Sequence, residues 1–145
     1  MSDISRRSVK TELELRVIFD GEPGTLGRIL ATLRSHGRAL KAHLVFRHAG
    51  REDMTGLFLC EEPTAAALAL KDEGFQVTTE TVVTVETERD PGAFHHLVRT
   101  LEVESIRFGY SYGASNPDAL FVVLRTGDNP RAEDFLKAYL EVTSE

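Results

Sequence analysis

Apolar residues recur along this chain with two alternating periods. Leu13, Leu15, Val17 and Phe19 alternate with polar neighbours, the period of a half-buried strand. Gly21 and Pro23-Gly24 end that pattern. Leu26, Ile29, Leu30 and Leu33 follow at i, i+3, i+4 and i+7, which places them on one face of a helix that stops near Gly37. Leu40, Ala42, Leu44 and Phe46 alternate again as a second strand. A polar hairpin from His48 to Asp53 leads to a third strand, about Thr55 to Cys60. Thr64 is placed to cap a second helix, with Gly74 as its stop.

The same order then returns. At a shift of 68 residues, Glu22-Pro23-Gly24-Thr25-Leu26 falls on Asp90-Pro91-Gly92-Ala93-Phe94. Leu26, Ile29, Leu30 and Leu33 fall on Phe94, Leu97, Val98 and Leu101 without a gap. Leu15 and Val17 match Val83 and Val85; Leu40, Ala42 and Leu44 match Phe108, Tyr110 and Tyr112. Asp90 is placed as an N-cap with Pro91 at the first helical position. Ile106, Phe108, Tyr110 and Tyr112 share one alternating face, Ala119 to Arg125 reads as the third strand, and Asn129-Pro130 opens the last helix. Each copy thus reads strand, helix, strand, strand, helix, with room for a last strand. The Val/Thr-rich stretch from Phe75 to Glu88 is expected to be extended, joining the copies without a linker. The expected units are residues 11–79 and 80–145, with residues 1–10 as a frayed N-terminus.

Composition bounds the chemistry. The chain has 145 residues and is 41% hydrophobic, enough for two small units that share an interface. With 17 basic and 23 acidic residues the net charge is -6, which argues against nucleic acid as the main partner. Cys60 is the single cysteine, so an intrachain disulfide is impossible, and its neighbours Leu57, Phe58 and Leu59 suggest burial. No apolar run approaches the roughly 20 residues of a membrane span, and Met1 to Arg7 lacks the apolar core of a secretion signal. A cytoplasmic protein is expected. His36, His43, His48 and the adjacent His95-His96 show no ligand spacing, so no metal and no cofactor are expected. Phosphate-binding glycine loops, nucleophile elbows and interpretable carboxylate pairs are absent, and the reading is not an enzyme.

A strand, a Pro-Gly turn, a helix, a hairpin and a helix, duplicated at this spacing, resembles the ACT domain family. Most specific are Glu22 to Leu26, Asp90 to Phe94, and Phe108-Gly109-Tyr110-Ser111-Tyr112 followed by Ala119-Leu120-Phe121-Val122-Val123; the likeness runs from Glu12 to Tyr139. It implies an α+β fold of two ferredoxin-like βαββαβ units in tandem, antiparallel sheets side by side with the helices on one face. It also implies a regulatory protein that binds a small amino acid or related carboxylate between a Pro-Gly loop and the second strand of a neighbouring unit. Carried over by position, the ligand-binding candidates are Glu22, Gly24, Thr25 and Leu26, then Arg89, Asp90, Gly92, Ala93 and Phe94. Val45 and Phe46, and Tyr110, Ser111 and Tyr112, are the second-strand candidates. The family favours Asp or Asn two residues before the loop proline, where this chain has Gly21 and Arg89; its acids stand one residue before, at Glu22 and Asp90, and three before, at Asp20 and Glu88. Either the loops use displaced acids or one or both are silent. Arg89 could add a cation beside a ligand carboxylate. The residues also allow plainer roles: the Pro-Gly turns as simple helix starts, and Tyr110 and Tyr112 as packing. A homodimer is expected, and a metabolic enzyme is a candidate partner. The alternative is an interaction module without a ligand.

Overall fold

The computed structural model describes residues 7–143, with side chains to residue 141. The elements follow the expected order: β1 (Ser8–Phe19), α1 (Thr25–Thr32), β2 (Leu40–Arg47), β3 (Met54–Cys60), α2 (Pro63–Asp72), β4 (Gln76–Glu88), α3 (Ala93–Val103), β5 (Phe108–Ser115), β6 (Ala119–Thr126) and α4 (Asn129–Thr143). A π-helical turn, Leu33–Gly37, closes α1. The chain divides into two compact units: Leu13–Glu80, and the residues on either side of that segment. Both are ferredoxin-like.

In the unit Leu13–Glu80 the strands lie in the order β2-β3-β1-β4, with β1–β3 and β2–β3 antiparallel. Leu15, Val17 and Phe19 of β1 pack with Ile29, Leu33, Phe58, Ala66 and Leu70, so the alternating strand face and the helical stripes meet in one core. Gly37 lies close beneath, where a Cβ would come within 2.9 Å of Cys60 Sγ. Cys60 itself is buried, and burial pushes its thiol pKa up.

The second unit keeps the same strand order, β1-β4-β6-β5, but its fourth strand comes from the start of the chain. Ser8 to Glu12 of β1 stand beside Thr81 to Glu88 of β4, and Val9 is buried with Val83, Val85, Leu97, Leu101 and Leu136. This corrects the expectation of a frayed N-terminus for residues 7–10; residues 1–6 lie outside the described residues. One apolar residue among polar neighbours gave no visible periodicity, yet its burial holds the segment in the sheet. Arg7 adds a two-oxygen grip on Glu88, Nη2 to Oε1 at 2.7 Å.

Two expected helix caps are also corrected. Asp90 does not cap α3 with its side chain; its carbonyl accepts the Ala93 N–H at 2.9 Å, and Gly92 occupies the N-cap. Thr64 lies inside α2, because Pro63 already starts the helix after Glu62.

A larger correction concerns facing. A β-bulge interrupts β5: Phe108 pairs with Thr126 and Tyr110 with Arg125, so Gly109 is the extra residue. Beyond it the alternation is inverted. Phe108 packs on the helix-covered core, whereas Tyr110 and Tyr112 pair with Arg125 and Val123 on the opposite face. The same bulge occurs 68 residues earlier: Leu40 pairs with Cys60 and Ala42 with Leu59, leaving Lys41 extra.

Candidate functional site

The two Pro-Gly loops begin alike and are completed differently. After Phe19, the Asp20 carboxylate turns back onto its own loop: Oδ1 accepts the Glu22 N–H at 3.0 Å and the Thr25 hydroxyl at 2.7 Å. These bonds, the Thr25 hydroxyl first, hold the Asp20 carboxyl below the usual carboxylate range. The Glu22 carbonyl accepts the Thr25 N–H, and Gly24 passes through φ 96 before α1 begins. An acid three residues before the proline therefore braces the loop here.

In the second loop the matching acid, Glu88, faces elsewhere. Arg7 Nε lies 2.8 and 2.9 Å from its two carboxylate oxygens, and this pairing keeps the Glu88 carboxyl below its ordinary value. Gly92 sits at φ −100, outside the left-handed region, with the His96 ring against the place where a Cβ would stand.

Each unit has a cleft between its first helix and the inner face of its second strand. In Leu13–Glu80 it measures about 420 Å³ and is lined by Leu26, Leu30, Leu40, His43, Val45 and Phe58. In the other unit it measures about 390 Å³ and is lined by Phe94, Ser111, Gly113, Ser115, Leu120 and Val122, with Tyr112 at its border. Leu26 and Phe94 are repeat equivalents, as are His43 and Ser111, and Val45 and Gly113. The clefts are thus one site built twice. The bulge creates it: by inverting the strand it turns Ser111, Gly113 and Ser115 toward the helices in place of the tyrosines.

The expected residues therefore separate. Leu26, Val45, Phe94, Ser111 and Tyr112 border the clefts. Tyr110 is on the other face, its ring stacked 6.3 Å from that of Tyr112 and beside Arg125. Phe46 also lies across the sheet from the cleft, paired with Thr55 and edge-on to His48. Glu22, Gly24 and Thr25 shape the first loop behind its cleft. Asp90 and Ala93 border a different cavity of about 370 Å³, with Arg7, Glu88, His96 and Tyr139, and Arg89 is exposed. Sequence reasoning missed Leu30, Leu40, His43, Gly113 and Ser115. Gly113 and Ser115 follow Ser111 at strand period, so they became visible once the bulge fixed the face.

Among the described residues no group of three or more His, Cys, Asp or Glu could hold a metal ion, and no helix is long and apolar enough to cross a membrane.

No family model matches this sequence, and no curated protein does. Solved structures do. Protein BT0572 from Bacteroides thetaiotaomicron superposes with a TM-score of 0.82 at 23% identity, over 90% of each chain. The ligand-free regulatory subunit of aspartate kinase from Thermus thermophilus gives 0.64 at 11% identity, over 92% of this chain and 97% of that one. Aspartate kinase from Clostridium acetobutylicum gives 0.58 at 14%, with 90% of this chain on 33% of the enzyme. At these identities the likeness is one of fold: this chain has the ACT-type fold, an α+β arrangement of ferredoxin-like units.

Proposed function

We propose that this chain is a non-catalytic regulatory protein that binds a small amino acid or a related carboxylate at its Pro-Gly helix starts. The observation that carries the reading is the repeat-equivalent pair of clefts, each within the size range of small-ligand sites. The fold shared with a regulatory subunit of aspartate kinase supports it.

Each cleft offers what such a ligand needs. The first turn of a helix presents backbone N–H groups and partial positive charge to a carboxylate. Glycine at the start, Gly24 or Gly92, keeps Cβ atoms out of its way. Leu26 or Phe94 from the helix and Val45 or Ser111 from the strand face the side chain. Glu22 and Thr25 hold the first loop; Arg89, Asp90 and Ala93 belong to the second. Tyr110, on the far side of β5, would contact a ligand only through an added neighbour, whereas Tyr112 already stands at the cleft border. β2 and β5 end their strand orders, so a second copy of the chain can close a cleft from outside, and a homodimer is part of the proposal. Binding then regulates through different affinity for two arrangements of chain or partner enzyme.

The test is thermal melting against the common amino acids at about a millimolar, with light scattering on the same samples. A ligand at 100 times its Kd adds roughly 2.7 kcal/mol, a rise of several degrees. A selective rise in a dimeric sample, reduced by filling a cleft with Ser111→Phe or Val45→Trp, supports the reading. A protein whose melting ignores every amino acid is instead an interaction module; Phe94 and Leu30, partly exposed at the cleft mouths, would be its contacts.

A further inference from the structure

We propose that Arg7 is a latch: it keeps Glu88 from bracing the second Pro-Gly loop as Asp20 braces the first, so that seating of the first strand sets the shape of that loop. The molecule supplies its own comparison, since the same loop occurs twice and the copies differ. In the first, Asp20 accepts from the Glu22 N–H and the Thr25 hydroxyl, and Gly24 is left-handed at φ 96. In the second, Glu88 stands at the Asp20 position, Arg7 grips both its oxygens, and Gly92 is at φ −100.

The grip is anchored twice. Arg7 Nη1 also donates to the Leu140 carbonyl at 2.9 Å, near the end of α4, where the helix's partial negative charge favours a cation. A rigid guanidinium fork serves both partners at once; a lysine ammonium lacks that geometry. While Glu88 is so engaged, the N–H of Asp90, counterpart of the Glu22 N–H that donates to Asp20, meets no side-chain acceptor among the described residues. Ala93 stands where Thr25 supplies a hydroxyl, so a freed Glu88 would have only the backbone to hold.

Competition for one carboxylate is the mechanism. When Arg7 leaves, Glu88 turns to the Asp90 N–H and Gly92 moves into the left-handed region, which glycine alone enters freely. Arg7, Glu88, Asp90, Ala93 and His96 border one cavity, which gives the loop space for the change. Phe94, two residues on, lines the cleft, so the cleft mouth shifts with the latch. That last link rests on the ligand reading; the latch does not.

The test is NMR on the full chain carrying Arg7→Gln, with Gly24 and Glu22 as internal references. The expected result is that the Gly92 HN–Hα couplings move toward those of Gly24 and exchange of the Asp90 amide slows several-fold. Adding Glu88→Ala should abolish both changes. Unchanged Gly92 and Asp90 signals in Arg7→Gln, or changes that persist without Glu88, overturn the latch. Should Arg7→Gln fail to fold, Arg7→Lys keeps the charge without the fork. It is expected to move the same signals less far, and no movement there also overturns the proposal. Because these readouts involve no ligand, a protein deaf to amino acids can still show the latch, and the two failures stay distinct.

Discussion

At Gly24 the backbone takes φ 96, a region that costs an L-residue roughly 1–2 kcal/mol, with open space around the position of a Cβ. Gly24→Ala is therefore strained by conformation alone, and its unfolding free energy should fall by about that amount. Gly92 carries no such demand at φ −100; a Cβ there would press only on the exposed His96 ring, at 3.0 Å. Gly92→Ala should change stability by less than about 0.5 kcal/mol. Equal losses in the two variants, measured by urea unfolding, would contradict this assignment of strain. Both Pro-Gly pairs were legible in the sequence as helix starts. The difference between them was not, because it is decided by where Asp20 and Glu88 find their partners, one within its own loop and the other at Arg7, 81 residues away.

At the scale of elements the hydrophobic periods located each strand and helix, and the 68-residue phase carried over even to the bulges. Facing in β2 and β5 departs from plain alternation for one reason. Alternation counted from Leu40 or Phe108 assumes an unbroken pleat, and a single extra residue reverses every later side chain. Polar or small residues at Lys41 and Gly109 carry no periodicity that would announce it. Deleting Gly109 should restore the simple alternation, driving Tyr110 and Tyr112 toward the helices and Ser111 and Gly113 outward. The expected outcome is loss of the cleft and destabilisation by several kcal/mol, in the range of overpacked or cavity-bearing cores. Gly109→Lys keeps the extra residue and copies what Lys41 already does in the first copy. It should unfold at nearly the wild-type urea concentration, and a deletion as mild as this substitution would show that the bulge does not set the facing.

For the whole molecule, the departure from a plain tandem repeat is that the second unit is not contiguous. Its last strand is the segment from Ser8 to Glu12, so the chain must return its beginning to its end before that unit is complete. This was hidden in the sequence because Val9 is the one apolar residue in Ser8 to Glu12, and a single buried position has no period. Its weight is nonetheless considerable. Burying a valine contributes about 1.5–3 kcal/mol, and removing the strand also exposes the ladder of β4 from Thr81 to Glu88. Arg7 and its hold on Glu88 and Leu140 would go with it. A chain beginning at residue 11 should therefore lose several kcal/mol, which for this length lowers the melting temperature by roughly 5–15 °C. The loss should also be local. Hydrogen exchange should quicken first in α3, α4 and the later half of β4, while Leu15, Val17 and Phe58 keep their core within Leu13–Glu80. If residues 1–10 were a frayed tail, the shortened chain would melt with the full one and exchange would not distinguish the units. A fall confined to the unit holding α3 and α4 means instead that the N-terminal strand is structural, and that the first residues of the chain control the fold of its last helix.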